Sequence, residues 1–282
     1  MKVAVIQMNS VKSIDKNLVD AHLYVQEAAS LGARFIVLPE MFLCIGVKDQ
    51  SEILACFFPS EGSDTNERAA NHTLGIERII GSWAKSYNVY ILAGSIPYPS
   101  DKQSDKVYAS SLLFSPQGNI LTRYDKIHLF DVSVGDEKGS YCESDTFLPG
   151  REPKACKVDE VLLGMSICYD LRFPELYQHY QAKSCQMISV PSAFTYQTGK
   201  KHWEILLRAR AIETQSFILA ANQVGLHEDG RRTWGHSMIV SPSGDILAQV
   251  EGEKPGVALA DLDFENQARL QLAMPLMKHK RL

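Results

Sequence analysis

The stretch Val161-Leu162-Leu163-Gly164-Met165-Ser166-Ile167-Cys168-Tyr169-Asp170-Leu171-Arg172-Phe173-Pro174-Glu175 decides how the chain is read. Its first half is a short apolar run, consistent with a strand buried on both faces. At Cys168 the pattern breaks, and the segment from Tyr169 to Glu175 is expected to open a helix. The reading is strand, abrupt turn, helix start, with the cysteine presented at the strand end instead of packed. The first amides of a helix carry partial positive charge, which favours the thiolate, the nucleophilic form of the side chain. A lone cysteine more often serves as a small buried hydrophobe, so this one gains meaning only from other charged groups.

Two further segments place a charge where a buried strand ends. In Phe35-Ile36-Val37-Leu38-Pro39-Glu40-Met41-Phe42 a carboxylate interrupts an apolar stretch, and glutamate is almost never fully buried without a partner. In Leu121-Thr122-Arg123-Tyr124-Asp125-Lys126-Ile127-His128-Leu129-Phe130 a lysine follows a strand; taken alone it reads as a solvated side chain.

Leu38-Pro39-Glu40, Tyr124-Asp125-Lys126-Ile127-His128 and Cys168-Tyr169-Asp170-Leu171-Arg172-Phe173-Pro174-Glu175 together resemble the signature segments of the nitrilase superfamily of carbon-nitrogen hydrolases. The resemblance runs from Val3 nearly to the last residue, so residues 1–282 are expected to form one carbon-nitrogen hydrolase domain. It implies a Glu-Lys-Cys triad of Glu40, Lys126 and Cys168. It also implies a second acid, Glu143, ahead of Phe147-Leu148-Pro149-Gly150, where an exposed loop acid is the simpler alternative. It implies cofactor-free chemistry with no metal, and a homodimer. The chain stops at Lys278-His279-Lys280-Arg281-Leu282, where relatives continue through a Pro- and Tyr-containing tail; if that tail contributes to assembly, the dimer would lack it.

The chemistry accounts for these residue types. An amide carbonyl is a poor electrophile, and passing through a thioester divides one difficult step into two easier ones. Cys168 would attack; Glu40 would take its proton and deliver it to the departing amine. Lys126, with the backbone amide of Tyr169, would stabilise the tetrahedral oxyanion.

A finer resemblance lies in Ser192-Ala193-Phe194, Thr198-Gly199, His202-Trp203-Glu204, Arg208-Ala209-Arg210-Ala211-Ile212-Glu213-Thr214-Gln215 and Gly235-His236-Ser237-Met238. These are similar to the branch of the family that acts on 2-oxo acid amides, deaminated glutathione above all and other ω-amides as the alternative. Arg172 is then the expected clamp for a substrate carboxylate, which a guanidinium matches in bidentate fashion, and Phe194 and Thr198 are expected to line the same pocket. A different class of reading is a binding or scaffold protein that keeps the fold without turnover. The four reactive side chains, all intact, disfavour it.

Composition narrows the classes further. The chain has 282 residues, 45% hydrophobic and 22% charged, as suits a soluble globular protein with a large core. The formal net charge of −4, from 29 basic and 33 acidic residues, gives no electrostatic support for nucleic-acid binding. Small molecules or copies of the chain are the expected partners. Six cysteines, at 44, 56, 142, 156, 168 and 185, form no C-x-x-C pair. No apolar run reaches the ~20 residues of a membrane span, and the apolar start Val3 to Ile6 is too short for a signal segment. A reducing cytoplasm is therefore expected, where the glycosylation pattern Asn71-His72-Thr73 would go unread.

The halves echo each other. Ser115-Pro116-Gln117-Gly118-Asn119-Ile120-Leu121 corresponds to Ser241-Pro242-Ser243-Gly244-Asp245-Ile246-Leu247, each following an apolar strand and predicting a hairpin. Ile91-Leu92-Ala93 matches Ile218-Leu219-Ala220, and Ile36-Val37-Leu38-Pro39 matches Ile188-Ser189-Val190-Pro191 more loosely. Helical stripes run through Leu18, Ala21, Val25, Ala28 and Ala29, stopped at Gly32, and through Trp203, Leu206, Leu207, Arg210, Ala211 and Thr214. Strands alternating with helices in two pseudo-equivalent halves predict an α/β fold, a four-layer α-β-β-α sandwich, which is also the fold the resemblance implies. Ser166 reads as an ordinary strand residue despite its near match to a serine elbow. His128 and His236 read as satisfied structural histidines, and His227-Glu228-Asp229-Gly230 as a solvated acidic turn.

Overall fold

The computed structural model describes residues 1–45, 65–100, 106–133 and 139–281, with the backbone alone for 65–74. Cys56, Leu282 and the side chains of Asn71-His72-Thr73 therefore lie outside the described residues. The strands are β1 (Lys2–Gln7), β2 (Phe35–Val37), β3 (Tyr90–Tyr98), β4 (Val107–Phe114), β5 (Ile120–Asp125), β6 (Asp131–Ser133), β7 (Ser140–Cys142), β8 (Phe147–Leu148), β9 (Ala155–Val158), β10 (Val161–Met165), β11 (Met187–Ser189), β12 (Phe217–Ala220), β13 (Val224–Leu226), β14 (Arg232–Trp234), β15 (Met238–Val240), β16 (Ile246–Gln249) and β17 (Gly256–Asp261). The helices are α1 (Ile14–Ser30), α2 (Thr65–Tyr87), α3 (Pro174–Ala182), α4 (Tyr196–Thr214), α5 (Phe264–Ala273) and α6 (Leu276–His279).

Two sheets carry the fold. The first has the order β17-β1-β2-β3-β4-β5, with β8 on β4, and the second β16-β15-β12-β11-β10-β9. Parallel β1-β2-β3 followed by antiparallel β4 and β5 matches parallel β10-β11-β12 followed by antiparallel β15 and β16. The sequence echoes fall on equivalent places. Ser115 and Ser241 each receive the turn glycine's N–H, from Gly118 at 2.8 Å and Gly244 at 2.9 Å. Those glycines sit at φ +85° and +86°, a region L side chains rarely adopt.

Strand alternation produces the four layers. Val3, Val5, Phe35 and Val37 face the second sheet and pack with Leu163, Met165 and Met187. Their neighbours Ala4, Ile6, Ile36 and Leu38 face the other way, onto Ala21, Val25 and Ala28 of α1 and Ile80 and Ala84 of α2. Beneath the second sheet, Trp203, Leu207 and Ala211 of α4 join Tyr177 and Tyr180 of α3. Ser13 caps α1 by accepting from Lys16 N at 3.3 Å, and Gly32 follows the helix at φ +88°.

One expected element differs. The segment after Cys168 is a 3-10 turn, Cys168–Arg172, and the α-helix begins only at Pro174. Asp170 explains the delay: its side chain is turned back to accept from Ile167 N at 2.8 Å, which closes a tight turn instead of a helical one. The His227 turn also departs from expectation. His227 is only 4% exposed, bonded to Ser10 O and Thr233 Oγ1, and the Asp229 side chain is covered against Arg231.

Candidate active site

Glu40 enters from the end of β2. The bend that carries it presses against β3 at Gly94, where a Cβ would lie 1.8 Å from the Pro39 carbonyl oxygen, so only glycine fits. Met41 N donates to Ser95 Oγ at 3.0 Å, and the Glu40 carbonyl accepts from Gln223 Nε2 at 3.1 Å. Thus fixed, the Glu40 carboxylate is 3% exposed. It accepts from Lys126 Nζ at 2.8 Å and from the Ala193 amide at 2.7 Å.

Lys126 comes directly after β5 and is fully buried. The turn ending at Gly150 locks its backbone, Gly150 N donating to Lys126 O at 2.8 Å. A Cβ at Gly150 would meet Asp125 O at 2.0 Å, which accounts for the glycine closing Phe147-Leu148-Pro149-Gly150. Lys126 Nζ also bonds both carboxylate oxygens of Glu143, at 2.9 and 2.8 Å. Glu143 is thereby no exposed loop acid. Its side chain is 21% exposed, and one oxygen further accepts from Phe130 N at 2.8 Å. Burial opposes the charge on Lys126, yet Glu143 and Glu40 outweigh it and hold the ammonium well above the usual lysine range. For Glu143, burial dominates and, with the nearby Glu40, pushes the carboxyl up against the pull of Lys126.

Cys168 joins them from the end of β10. It has φ +46°, the left-handed region that costs a non-glycine residue roughly 1–3 kcal/mol and persists only where neighbours enforce it. The enforcing contacts are Cys168 N to Pro191 O at 2.8 Å and the Asp170 turn. The residue is 8% exposed, packed rather than simply presented. The surroundings work against the expected thiolate: burial first, then the charge of Glu40, raise the thiol well above its usual range, and Lys126 only partly compensates. This direction favours the protonated thiol.

Asp170 was part of the quoted motif but had no role in the sequence reading. It is fully buried and accepts from Tyr124 Oη at 2.6 Å, Ile167 N at 2.8 Å, and His128 N at 3.0 Å, with His128 Nδ1 at 2.7 Å. Tyr124 and His128 flank Lys126, so this carboxylate ties the cysteine turn to the lysine segment across the two halves. A carboxylate two residues from the cysteine is the only sequence signal for it. Burial and Asp170 together hold the Tyr124 phenol well above its usual range.

Arg172 lies with its guanidinium 5.1 Å from the Phe194 ring centre and 5.8 Å from that of Tyr169. No carboxylate among the described residues pairs with it. The Tyr169 N–H donates to no protein acceptor among the described residues, while its ring packs edge-on to Phe130 and Phe173. Phe194 is 3% exposed and also packs on Trp203. The Thr198 hydroxyl bonds Thr195 Oγ1 at 2.7 Å in the first turn of α4. His128 stacks on Phe173 and His236 on Trp234, both with ring nitrogens bonded. Ser166 bonds Ser189 O and Tyr177 in the interior. Among the described residues no cluster of His, Cys, Asp or Glu could hold a metal ion, and no helix is long and apolar enough to cross a membrane.

Known proteins resemble this chain along nearly its whole length. The chain is 38% identical to deaminated glutathione amidase of Synechocystis sp., over 98% of this chain and 97% of that one. It is 32% identical to human omega-amidase NIT2, over 98% and 92% of the two chains. The crystal structure of the C. elegans NitFhit protein superposes with a TM-score of 0.88 at 31% identity, over 99% of this chain and 65% of that longer one. The carbon-nitrogen hydrolase family model matches residues 2–270. With its paired sheets and its Glu-Lys-Cys cluster at the strand ends, the chain belongs to the carbon-nitrogen hydrolase family, enzymes that hydrolyse C–N bonds.

Proposed function

We propose that residues 1–282 act as one domain that hydrolyses the amide of a 2-oxo dicarboxylic acid through a Cys168 thioester. Deaminated glutathione is the preferred substrate, yielding 2-oxoglutarate and cysteinylglycine. The observation that carries the proposal is a single buried ammonium, Lys126, held by Glu40 and Glu143 beside the thiol. As the Cys168 sulfur bonds the amide carbon, its proton passes to Glu40 and the carbonyl electron pair moves onto oxygen. Lys126 and the Tyr169 N–H stabilise that oxygen. The C–N bond then breaks, Glu40 returning the proton to the departing amine. Water attacks the thioester while Glu40 takes its proton; the C–S bond breaks and sulfur regains a proton. Glu143 keeps Lys126 in place, and Arg172 pairs with the substrate carboxylate.

The ω-amidase relative supports a second substrate, 2-oxoglutaramate, because both amides pass through the same 2-oxoglutaryl thioester and differ only in the departing amine. A cysteine nucleophile needs a reduced thiol, which a reducing cytoplasm provides, and Ile205 and Ile212, exposed on α4, support a homodimer. The test incubates the protein with each amide and follows 2-oxoglutarate. Release by the wild type, none by Cys168→Ala, and an acyl adduct on Cys168 in the mass spectrum are expected. No release from either amide, or equal release by Cys168→Ala, overturns the proposal.

A further inference from the structure

His202 sits on α4 with Nδ1 3.2 Å from Arg172 Nη1. A guanidinium only donates, so Nδ1 must be the unprotonated acceptor and the ring proton must sit on Nε2. Burial, with the charges of Arg172 and Lys201, lowers the His202 pKa and keeps the ring neutral. The guanidinium thus has one fixed hydrogen bond and two aromatic faces, Phe194 and Tyr169, but no carboxylate partner among the described residues. Tyr169 of the same turn, Phe194 just before α4 and His202 in the first turns of α4 surround this cation, and no other described residue takes its remaining donors.

We propose that His202 is a positioning residue that sets the specificity of the site for carboxylate-bearing amides, by orienting Arg172 through its Nδ1 lone pair. The inference rests on the assignment of Arg172 as the carboxylate clamp. An oriented guanidinium presents its free N–H pair as a bidentate fork, whereas a freely rotating one must be ordered at each binding event. A hydrogen bond involving a charged group contributes enough to change affinity by about tenfold.

The test measures calorimetric affinity for 2-oxoglutaramate and for its methyl ester, which lacks the charge, using full-length protein made inactive by Cys168→Ala. His202→Leu is expected to weaken binding of the acid by about tenfold and leave the ester unchanged. His202→Asn, whose amide oxygen can stand near the Nδ1 position, is expected to restore most of the loss. In the active enzyme, His202→Leu should raise KM with kcat nearly constant. Arg172→Met is run in parallel and should abolish the preference for acid over ester. If Arg172→Met removes that preference and His202→Leu does not, the positioning role is overturned while the clamp stands. If Arg172→Met keeps the preference, the clamp itself fails. Loss in both His202 variants overturns the acceptor argument.

Discussion

Replacing Lys126 with methionine tests the charge arrangement at the centre of the site. Lys126 is fully buried, and the Glu40 side chain it holds is 4% exposed. Removing one member of a buried ion pair commonly costs about 3–5 kcal/mol, because a charge is left without compensation. Here the lower end applies, since the Glu143 side chain is 21% exposed and can take up a proton, and Ala193 N still bonds Glu40. A loss of about 3 kcal/mol lowers the melting temperature of a chain this size by roughly 5–10 °C. Glu143 already has a raised carboxyl, and without the lysine it rises further. A folded carboxyl that holds a proton its unfolded counterpart has lost stabilises the protein at low pH and less so as pH rises through the folded value. The deficit of the variant should therefore shrink between pH 8 and pH 5. Thermal unfolding at both pH values reads this directly, and amide turnover should fall roughly a hundredfold to a thousandfold. A variant melting within 2 °C of wild type at pH 8, or a deficit that grows on acidification, refutes the reasoning.

Two other perturbations probe the supports. Asp170→Asn sets an amide N–H₂ against donors that now meet a carboxylate, so stability should fall by about 2–4 kcal/mol, with turnover reduced at least tenfold in the fraction that remains folded; unchanged turnover in folded protein would mean that Asp170 does not set the register of Cys168 on Lys126. His227 is held neutral, with burial as the main cause and a pKa lowered from 6.5 to about 4. A base whose folded pKa is depressed contributes stability above its unfolded value and loses it as pH falls, here by roughly 3 kcal/mol between pH 6.5 and 4. Denaturant unfolding across that window should show a smaller acid loss in His227→Gln than in wild type, and parallel curves would contradict the assignment.

What could be read from the sequence depended on the range of the interaction involved. The two hairpins at Ser115 and Ser241 were legible because a turn is chosen by its own residues, a proline to open it and a glycine for the positive φ. The stripes of α1 and α4 were legible because periodicity is local. Glu40, Lys126, Glu143 and Cys168 were found through their motifs, and the fold brings them together. The bond between the Thr198 and Thr195 hydroxyls was not legible, because a hydroxyl three residues into a helix can turn back to the residue before it without any pattern that marks it. The burial of Asp170 and of His227 depends on partners far off in sequence, Tyr124 and His128 for the aspartate, Ser10 for the histidine. Nothing local records such pairings.

The protonation of Cys168 is the most instructive departure, because local reasoning gave the opposite sign. A turn start with free amides does favour a thiolate, and Lys126 adds to that pull. Against it stand enclosure and two carboxylates, one from the first parallel strands and one from the loop after β7, that a reading of residues 161–175 cannot contain. A resting thiolate would add a third negative charge to a site with one buried cation. These surroundings favour the proton on sulfur, while the lysine and the Ala193 amide already donate to the Glu40 carboxylate. In the proposed reaction, nucleophilicity then arises only when a carbonyl is positioned to accept the sulfur as Glu40 accepts the proton. A thiol so held would be slow toward adventitious electrophiles, so the proposed reaction makes its reactivity depend on substrate fit instead of on the acidity of the free side chain.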